Sequence, residues 1–465
     1  MRRVLIANRG AIAARAVDTF RTLGWSPIAV VASSDPQRLH ALAADGCAYL
    51  EGTGLAQTYD HVGRIVEAAR RCGADAVYPG YGALAEDPEL PERLAAAGIA
   101  FIGPTAEVLA AARDKDHAVA TADRLGLPVL PHATGHERIA KLVADIGLPV
   151  ILKPVTGCGG LGVRIVRTGA EAERALALIA SDEAGGAGGG AGTGTGAGTG
   201  TGDAWYAERY VERGAVVGVT VAVDDAGTVH PLGERESLLV DGSMKLLEAS
   251  PVQGVAPELV ERMRADTARL VTGMGLRGVA TVEFIVGSGD GAAAGGAADA
   301  GAGAGARARG HYFLEVNGRL PLAYRMCEAQ TGLDLVALQM ELAQGALPAP
   351  GRIRVDRDTH CLEARLFIEP APDGAPGRIT DLELAPEPGV TYNCALDVRR
   401  PVVLDNIVTQ VLALGERRAV AAGAVLRAVA GSGVSGVGTC AEEIAVWLRG
   451  SGLVPERLGS QALGV

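Results

Sequence analysis

Val150-Ile151-Leu152-Lys153-Pro154-Val155-Thr156-Gly157-Cys158-Gly159-Gly160-Leu161-Gly162-Val163 decides how the rest of the chain is read. A short β-branched run ends in a lysine, turns through four glycines in six residues, and resumes as the apolar run Val163-Arg164-Ile165-Val166. Glycines at that density let backbone N–H groups close on an anion without Cβ interference, and Lys153 adds a point charge. The stretch predicts a phosphate-covering flap between two strands, although an ordinary Gly-rich hairpin fits the loop taken by itself equally well. It is neither G-x-x-x-x-G-K-[ST] nor a strand-to-helix G-x-G-x-x-G, which excludes both of those nucleotide loops.

Before the flap the pattern alternates. Residues 3–7, 27–32, 48–50, 76–78 and 100–102 read as short strands, with helices at 12–23, 36–44, 59–72 and 90–97. That spacing predicts a parallel, doubly wound sheet whose loops Asn8–Gly10 and Pro79–Gly82 face a ligand crevice. Leu127-Pro128-Val129-Leu130-Pro131 marks entry into a small α+β piece that would lie over a nucleotide as a lid. After it, residues 205–211, 216–223 and 229–233 alternate well enough for an antiparallel sheet. Two Gly/Ala tracts, 184–202 and about 287–310, have no core to bury and read as disordered insertions. Residues beyond 334 read as a third α/β unit, with strands near 362–368, 379–384 and 407–412.

Two strand-like runs carry the chemistry. Val279-Ala280-Thr281-Val282-Glu283-Phe284-Ile285-Val286 and Tyr312-Phe313-Leu314-Glu315-Val316-Asn317 each place a carboxylate in apolar surroundings, where an uncompensated charge is costly. As neighbouring strands they would make an all-oxygen site from Glu283, Glu315 and Asn317, suited to Mg²⁺ shared with nucleotide phosphates. Lys115, Lys153 and Lys245 could neutralise the polyphosphate.

The totals set limits on partners. The 465 residues are 48% hydrophobic and 21% charged, with a net charge of −11. They suit about three domains and argue against nucleic acid or an anionic membrane as partner. Seven scattered cysteines without a C-x-x-C read as reduced thiols. No apolar run reaches about 18 residues and the start lacks a signal-peptide pattern, so a cytoplasmic protein is expected.

Ile6-Ala7-Asn8-Arg9-Gly10, Pro79-Gly80-Tyr81-Gly82, Phe101-Ile102-Gly103-Pro104, Asp114-Lys115, the Lys153 loop, Glu208-Arg209-Tyr210, Thr281-Val282-Glu283-Phe284, Phe313-Leu314-Glu315-Val316-Asn317-Gly318-Arg319, Thr331-Gly332-x-Asp334-Leu335, Glu363-x-Arg365 and Pro376-Gly377-Arg378-Ile379 occur in this order. Over residues 2–447 the chain resembles the biotin carboxylase subunit of acyl-CoA carboxylases, an ATP-grasp family. The resemblance implies a preATP-grasp domain at 1–112 and an ATP-grasp domain at 113–333 with its lid at about 131–204. A C-terminal α/β domain at 334–447 and a tail at 448–465 complete it. It implies that Lys115, Lys153, Gly157, Gly159 and Gly160 hold ATP phosphates, and that Glu208 and Val211 lie at the adenine hinge. Glu283 and Glu315, with Asn317 beside them, would hold Mg²⁺ or Mn²⁺. Lys245, Arg319 and Arg365 would serve bicarbonate and the biotin ureido group. Carboxyphosphate would form from ATP and bicarbonate, and its CO₂ would pass to biotin on a separate carrier, since the chain has no Met-Lys-Met. A homodimer is implied, with Arg15 at its interface, alongside carrier and carboxyltransferase subunits.

The departures cluster. Where the family has Ile-Gln-Val-Glu-His after Asn-x-Arg, this chain has Leu320-Pro321-Leu322-Ala323-Tyr324. Ala323 stands in place of the base on bicarbonate and cannot take a proton, while Pro321 removes a backbone donor. Gly218 replaces a glutamate, Ala11 a glutamate and Gln410 a lysine; of Met-Gln-Arg-Arg-His-Gln-Lys only Lys245 is kept. Three functions fit this pattern: a biotin carboxylase with a degenerate second-substrate site, a ligase activating another carboxylate as an acyl phosphate for an amine or thiol, and an ATP-binding partner subunit without turnover.

Overall fold

The computed structural model describes residues 1–35, 37, 39–156, 162–185, 205–287, 310–349, 351–369, 378–398, 400, 404 and 406–454, without side chains for 183–185. Gly157, Gly159, Gly160, Pro376, Gly377 and the Gly/Ala tracts over 186–204 and 288–309 lie outside them. Among the described residues no helix is long and apolar enough to cross a membrane.

The N-terminal alternation gives β1 (Arg3–Ile6), β2 (Ser26–Ala32), β3 (Gly46–Leu50), β4 (Ala76–Tyr78) and β5 (Ala100–Phe101) in a parallel sheet of order β3-β2-β1-β4-β5. Apolar strands covered on both faces are what a parallel sheet requires, and separate hydrophobic clusters occupy its two sides. Its carboxyl-end loops touch, as Asn8 donates from Nδ2 to the carbonyls of Pro79 at 2.6 Å and Tyr81 at 2.7 Å. Gly80 makes that approach possible: its φ is +68°, and a Cβ there would meet Ile12 Cγ1 at 3.0 Å.

A four-stranded antiparallel sheet follows, from β6 (His132–Thr134), β7 (Val150–Pro154), β8 (Arg164–Val166) and β9 (Trp205–Arg209), in the order β6-β9-β7-β8. The flap residues therefore do join two paired strands, β7 and β8. Residues 205–211, expected beside 216–223, instead leave that group. Trp205–Arg209 pairs with β6 and β7, where Trp205 and Ala207 fill a core with Leu152 and Ile179.

The main sheet has eight strands: β10 (Ala215–Val223), β11 (Val229–Asp241), β12 (Met244–Ser250), β13 (Gly278–Gly287), β14 (Gly310–Asn317), β15 (His360–Phe367) and, beyond a small pair of β16 (Asp381–Glu383) with the later β19 (Gly433–Ser435), β17 (Val390–Asn393) and β18 (Ile407–Gly415). Its order is β14-β13-β10-β11-β12-β15-β18-β17. The third unit read from sequence contributes β15, β17 and β18 to this sheet through the β12–β15 pairing, so no sheet edge falls at 333/334. Val217, Val219, Val282 and Phe284 point into a core closed by helices Lys115–Arg124 and Pro257–Gly273. The alternation that buries these residues turns the polar ones on the same strands to the opposite face.

Candidate active site

Register sets what stands on that polar face. Glu315 on β14 lies opposite Glu283 on β13, which lies opposite Gly218 on β10, which lies opposite Arg235 on β11. Two residues on, Ser237 faces Glu248 on β12, and Glu248 faces Glu363 on β15. Arg365, again two residues on, faces Gln410 on β18, which faces Asn393 on β17. Paired residues share a face and so do residues two apart, so one polar stripe crosses all eight strands.

At one end are the expected metal residues. Glu283 is buried and accepts a hydrogen bond from Lys245 Nζ, with Arg235 Nη2 3.6 Å away. Glu315 is half-buried, and its Oε1 accepts from Asn317 Nδ2 at 3.0 Å. Asn317 Oδ1 accepts from Arg319 Nη2 at 3.1 Å, and Arg319 Nε donates to Glu86 Oε1 at 2.6 Å. Five of the expected residues (Lys245, Glu283, Glu315, Asn317 and Arg319) thus form one group, tied through Glu86 to the Pro79–Gly82 loop. Among the described residues no three His, Cys, Asp or Glu side chains gather as a metal cluster. The donor set is two carboxylates and an amide, hard oxygen ligands that fit Mg²⁺ only with further oxygens, such as phosphate, completing the sphere.

The expected nucleotide residues gather on the other sheet. Lys153 Nζ lies 2.5 Å from Glu208 Oε1, and Tyr206 Oη donates to Glu208 Oε2 at 2.9 Å. Lys115 opens its helix beside β7 and donates from Nζ to Val155 O at 3.4 Å. Val211 stands apart from these, packed with Leu130 and Tyr312. No hydrogen bond or ion pair joins Lys153 to Glu283 or Glu315; the two sheets meet through Val155 and Tyr206, which enter the core under Val217 and Val282.

At the far end Arg365 is fully enclosed. Its Nε donates to Glu363 Oε1 at 3.0 Å, its Nη1 to the Lys245 carbonyl at 3.0 Å, and its Nη2 to Glu248. Arg235 donates from Nε to Glu248 Oε1 at 3.1 Å and from Nη1 to Thr220 at 3.0 Å. Burial works against the Glu248 carboxylate, yet Arg365, Arg235 and Lys245 together pull its pKa down to about 2. Burial dominates at Glu363, whose pKa is raised despite Arg365, with Glu248 adding to the rise. Gln410 takes the lysine position and donates from Nε2 to Leu322 O at 3.0 Å and to Glu363 at 3.2 Å. Ala323 is buried with Met326, Cys361 and Leu412. Beside this end a cavity of about 140 Å³ is lined by Asn8, Ala11 and Tyr81 from the N-terminal loops and by Asn393, Asn406 and Gln410.

Arg235, Glu248 and Glu86 were not among the sequence candidates. Glu86 gave no signal, but Gly218 did. A Cβ at 218 would meet Arg235 Cζ at 3.1 Å, so the glycine in a glutamate's place makes room for a guanidinium.

Two family models match the chain: the N-terminal domain of biotin carboxylase over residues 1–109, and the ATP-binding domain of the carbamoyl-phosphate synthase L chain over 114–293. A biotin carboxylase of Nostoc is 31% identical over 94% of this chain and 93% of its own length. The biotin carboxylase of Haemophilus influenzae is 28% identical, again over 94% and 93%. Among solved structures, Campylobacter jejuni biotin carboxylase superposes with a TM-score of 0.82 at 27% identity, covering 96% of this chain and 95% of that one. The biotin carboxylase domain of Hydrogenobacter thermophilus 2-oxoglutarate carboxylase, in complex with MgADP, ADP and bicarbonate, gives 0.81 at 26% identity, covering 96% and 94%. Fold and matches together make this chain an ATP-dependent ligase of the biotin carboxylase type. The chain belongs to the biotin carboxylase family.

Proposed function

We propose that this chain, in the cytoplasm, uses Mg-ATP and bicarbonate to carboxylate biotin borne on a separate carrier, and that it works as a homodimer beside carboxyltransferase subunits. The domains are taken as 1–112, 113–333 and 334–447. Lys115, Lys153 and the flap glycines hold the phosphates, with Glu208 and Val211 at the adenine. Glu283, Glu315 and Asn317 hold the Mg²⁺, which when bound neutralises charge developing on the transferred phosphoryl group. Lys245 and Arg319 orient bicarbonate for in-line attack, and Arg365 receives the ureido oxygen. The supporting observation is the stripe: strand register puts Glu315, Glu283, Glu248 and Arg365 on one face, and Lys245 is tied to it by its hydrogen bond to Glu283.

A second reading, activation of another carboxylate as an acyl phosphate, is favoured by Ala323, whose methyl sits in an apolar cluster where the family's base stands. ADP release in the presence of Mg-ATP separates them. Bicarbonate-dependent release that rises with free biotin is expected; release that needs an organic acid and ignores bicarbonate selects the second.

A further inference from the structure

Losing the base at 323 leaves the bicarbonate proton without an acceptor on that loop. The strand packed beneath the loop carries one. Cys361, Glu363 and Arg365 share a face of β15, and Leu412 lies opposite Glu363 on β18. Ala323 packs on Cys361 and Leu412, the two residues that flank Glu363. Gln410 bridges Leu322 O to Glu363 Oε1, so a single side chain separates the loop backbone from the carboxylate. Glu363 is 1% exposed, and among the described residues its Oε2 is a buried oxygen with no hydrogen-bond partner, while Oε1 is held by Arg365 and Gln410. A carboxylate locked through one oxygen, with the other uncommitted, has the form of a proton acceptor. We propose that Glu363 takes over the base role vacated at Ala323, accepting the bicarbonate proton.

The proposal rests on the bicarbonate reading above. In the step, a bicarbonate oxygen forms a bond to the γ-phosphorus as the bond from that phosphorus to the ADP oxygen breaks. The bicarbonate O–H proton passes to Glu363 and leaves to solvent at the end of turnover. Carboxyphosphate splits to CO₂ and phosphate, phosphate takes the biotin N–H proton, and the nitrogen bonds CO₂.

The electrostatics suit the task. Glu248 and Arg365 face Glu363 directly, Cys361 lies beside it, and Tyr324 and Cys327 approach from helix Tyr324–Thr331, with Arg235 behind Glu248. Burial raises the Glu363 carboxyl towards the working pH, where a base is most effective, while its neighbour Glu248 is driven the other way.

The test uses the full chain, Mg-ATP and bicarbonate. Glu363→Gln should lower kcat for bicarbonate-dependent ADP release by about 10²–10⁴-fold, with Mg-ATP affinity unchanged. Adding Ala323→Glu should recover at least about tenfold, which a purely structural glutamate would not allow. The wild-type rate should fall on acidification through an ionisation above the ordinary carboxylate value of about 4.3, and Glu363→Gln should remove that limb. A folded Glu363→Gln with unchanged turnover and pH profile overturns the assignment to Glu363 alone. Should that variant fail to fold, a wild-type profile without the raised ionisation overturns it. Bicarbonate-independent ADP release by the wild type would instead overturn the carboxylation reading itself.

Discussion

Two glutamate pairs face each other across strands of the same sheet, and they are treated in opposite ways. Glu315 and Glu283 stand opposite on β14 and β13; Glu248 and Glu363 stand opposite on β12 and β15. Like charges directly opposite repel, so each pair needs compensation. At Glu248–Glu363 the chain supplies it from within, with Arg365 bonded to both carboxylates and Arg235 to Glu248, all four side chains buried. At Glu315–Glu283 compensation is incomplete: Lys245 serves Glu283, while among the described residues Glu315 has only the neutral Asn317 and remains half-buried. The pair compensated by two guanidinium groups has no charge left over for a cation. The one left unfinished at the rim has that capacity.

That contrast breaks first, and most visibly, at Glu248. Glu248→Gln leaves two buried guanidinium groups without their shared carboxylate, and should cost about 3–5 kcal/mol in urea unfolding. The same carboxylate gives the protein a signature in acid. Its folded pKa of about 2 lies below its ordinary 4.5, so its contribution is complete above that value and is lost as pH falls towards about 2. Stability of the wild type should therefore decline through this window more steeply than that of the variant. Equal slopes would mean that Glu248 is not paired as described.

The opposite pair should respond in the opposite way. Glu315→Gln removes repulsion at the rim and leaves the Lys245–Glu283 bond in place, so the folded state should be as stable as the wild type or more so. ADP release should fall by about 10²–10³-fold, the scale of losing preorganised charge at a phosphoryl-transfer site. Loss of stability without loss of turnover would reverse the comparison. A smaller effect is expected on the other sheet, where Lys153 is held by Glu208. Lys153→Gln should weaken Mg-ATP binding by roughly 10–150-fold, equal to about 1.5–3 kcal/mol for a charged hydrogen bond, read by calorimetry.

How much of this could be read in the sequence follows from the range of the interactions. Glu283 and Glu315-x-Asn317 were legible because period-two alternation is local and a carboxylate breaks it visibly. The N-terminal sheet was legible because strand–helix spacing implies its parallel order. Partnership between distant strands was not. Residues 205–209 alternate like their successors yet pair with β6 and β7, and β15 gave no local sign that its neighbour would be β12. Arg235 and Glu248 became a site only through that pairing, since in sequence Arg235 is the middle of the charged run Glu234-Arg235-Glu236 and Glu248 is one carboxylate between Leu247 and Ala249.

Gly218 is where a visible departure and an invisible partnership coincide, and it yields the finest test. Opposite Arg235 on β11 and Glu283 on β13, it is the point where the two ends of the stripe adjoin. Glycine in a strand costs roughly 0.5–1 kcal/mol relative to alanine, so Gly218→Ala in an open position would stabilise. Here the new Cβ would lie 3.1 Å from Arg235 Cζ and 3.1 Å from Nη1, against a guanidinium fixed by Glu248 and Thr220. Overpacking of that kind costs about 1–3 kcal/mol, which exceeds the gain, so a net loss of about 1 kcal/mol is expected in urea unfolding. The loss should shrink when Arg235→Lys is made in the same chain, because the slimmer ammonium can yield. If Gly218→Ala stabilises the protein, Arg235 is free to move, and the enclosed end of the stripe is not rigid in the way that sets it apart from the rim.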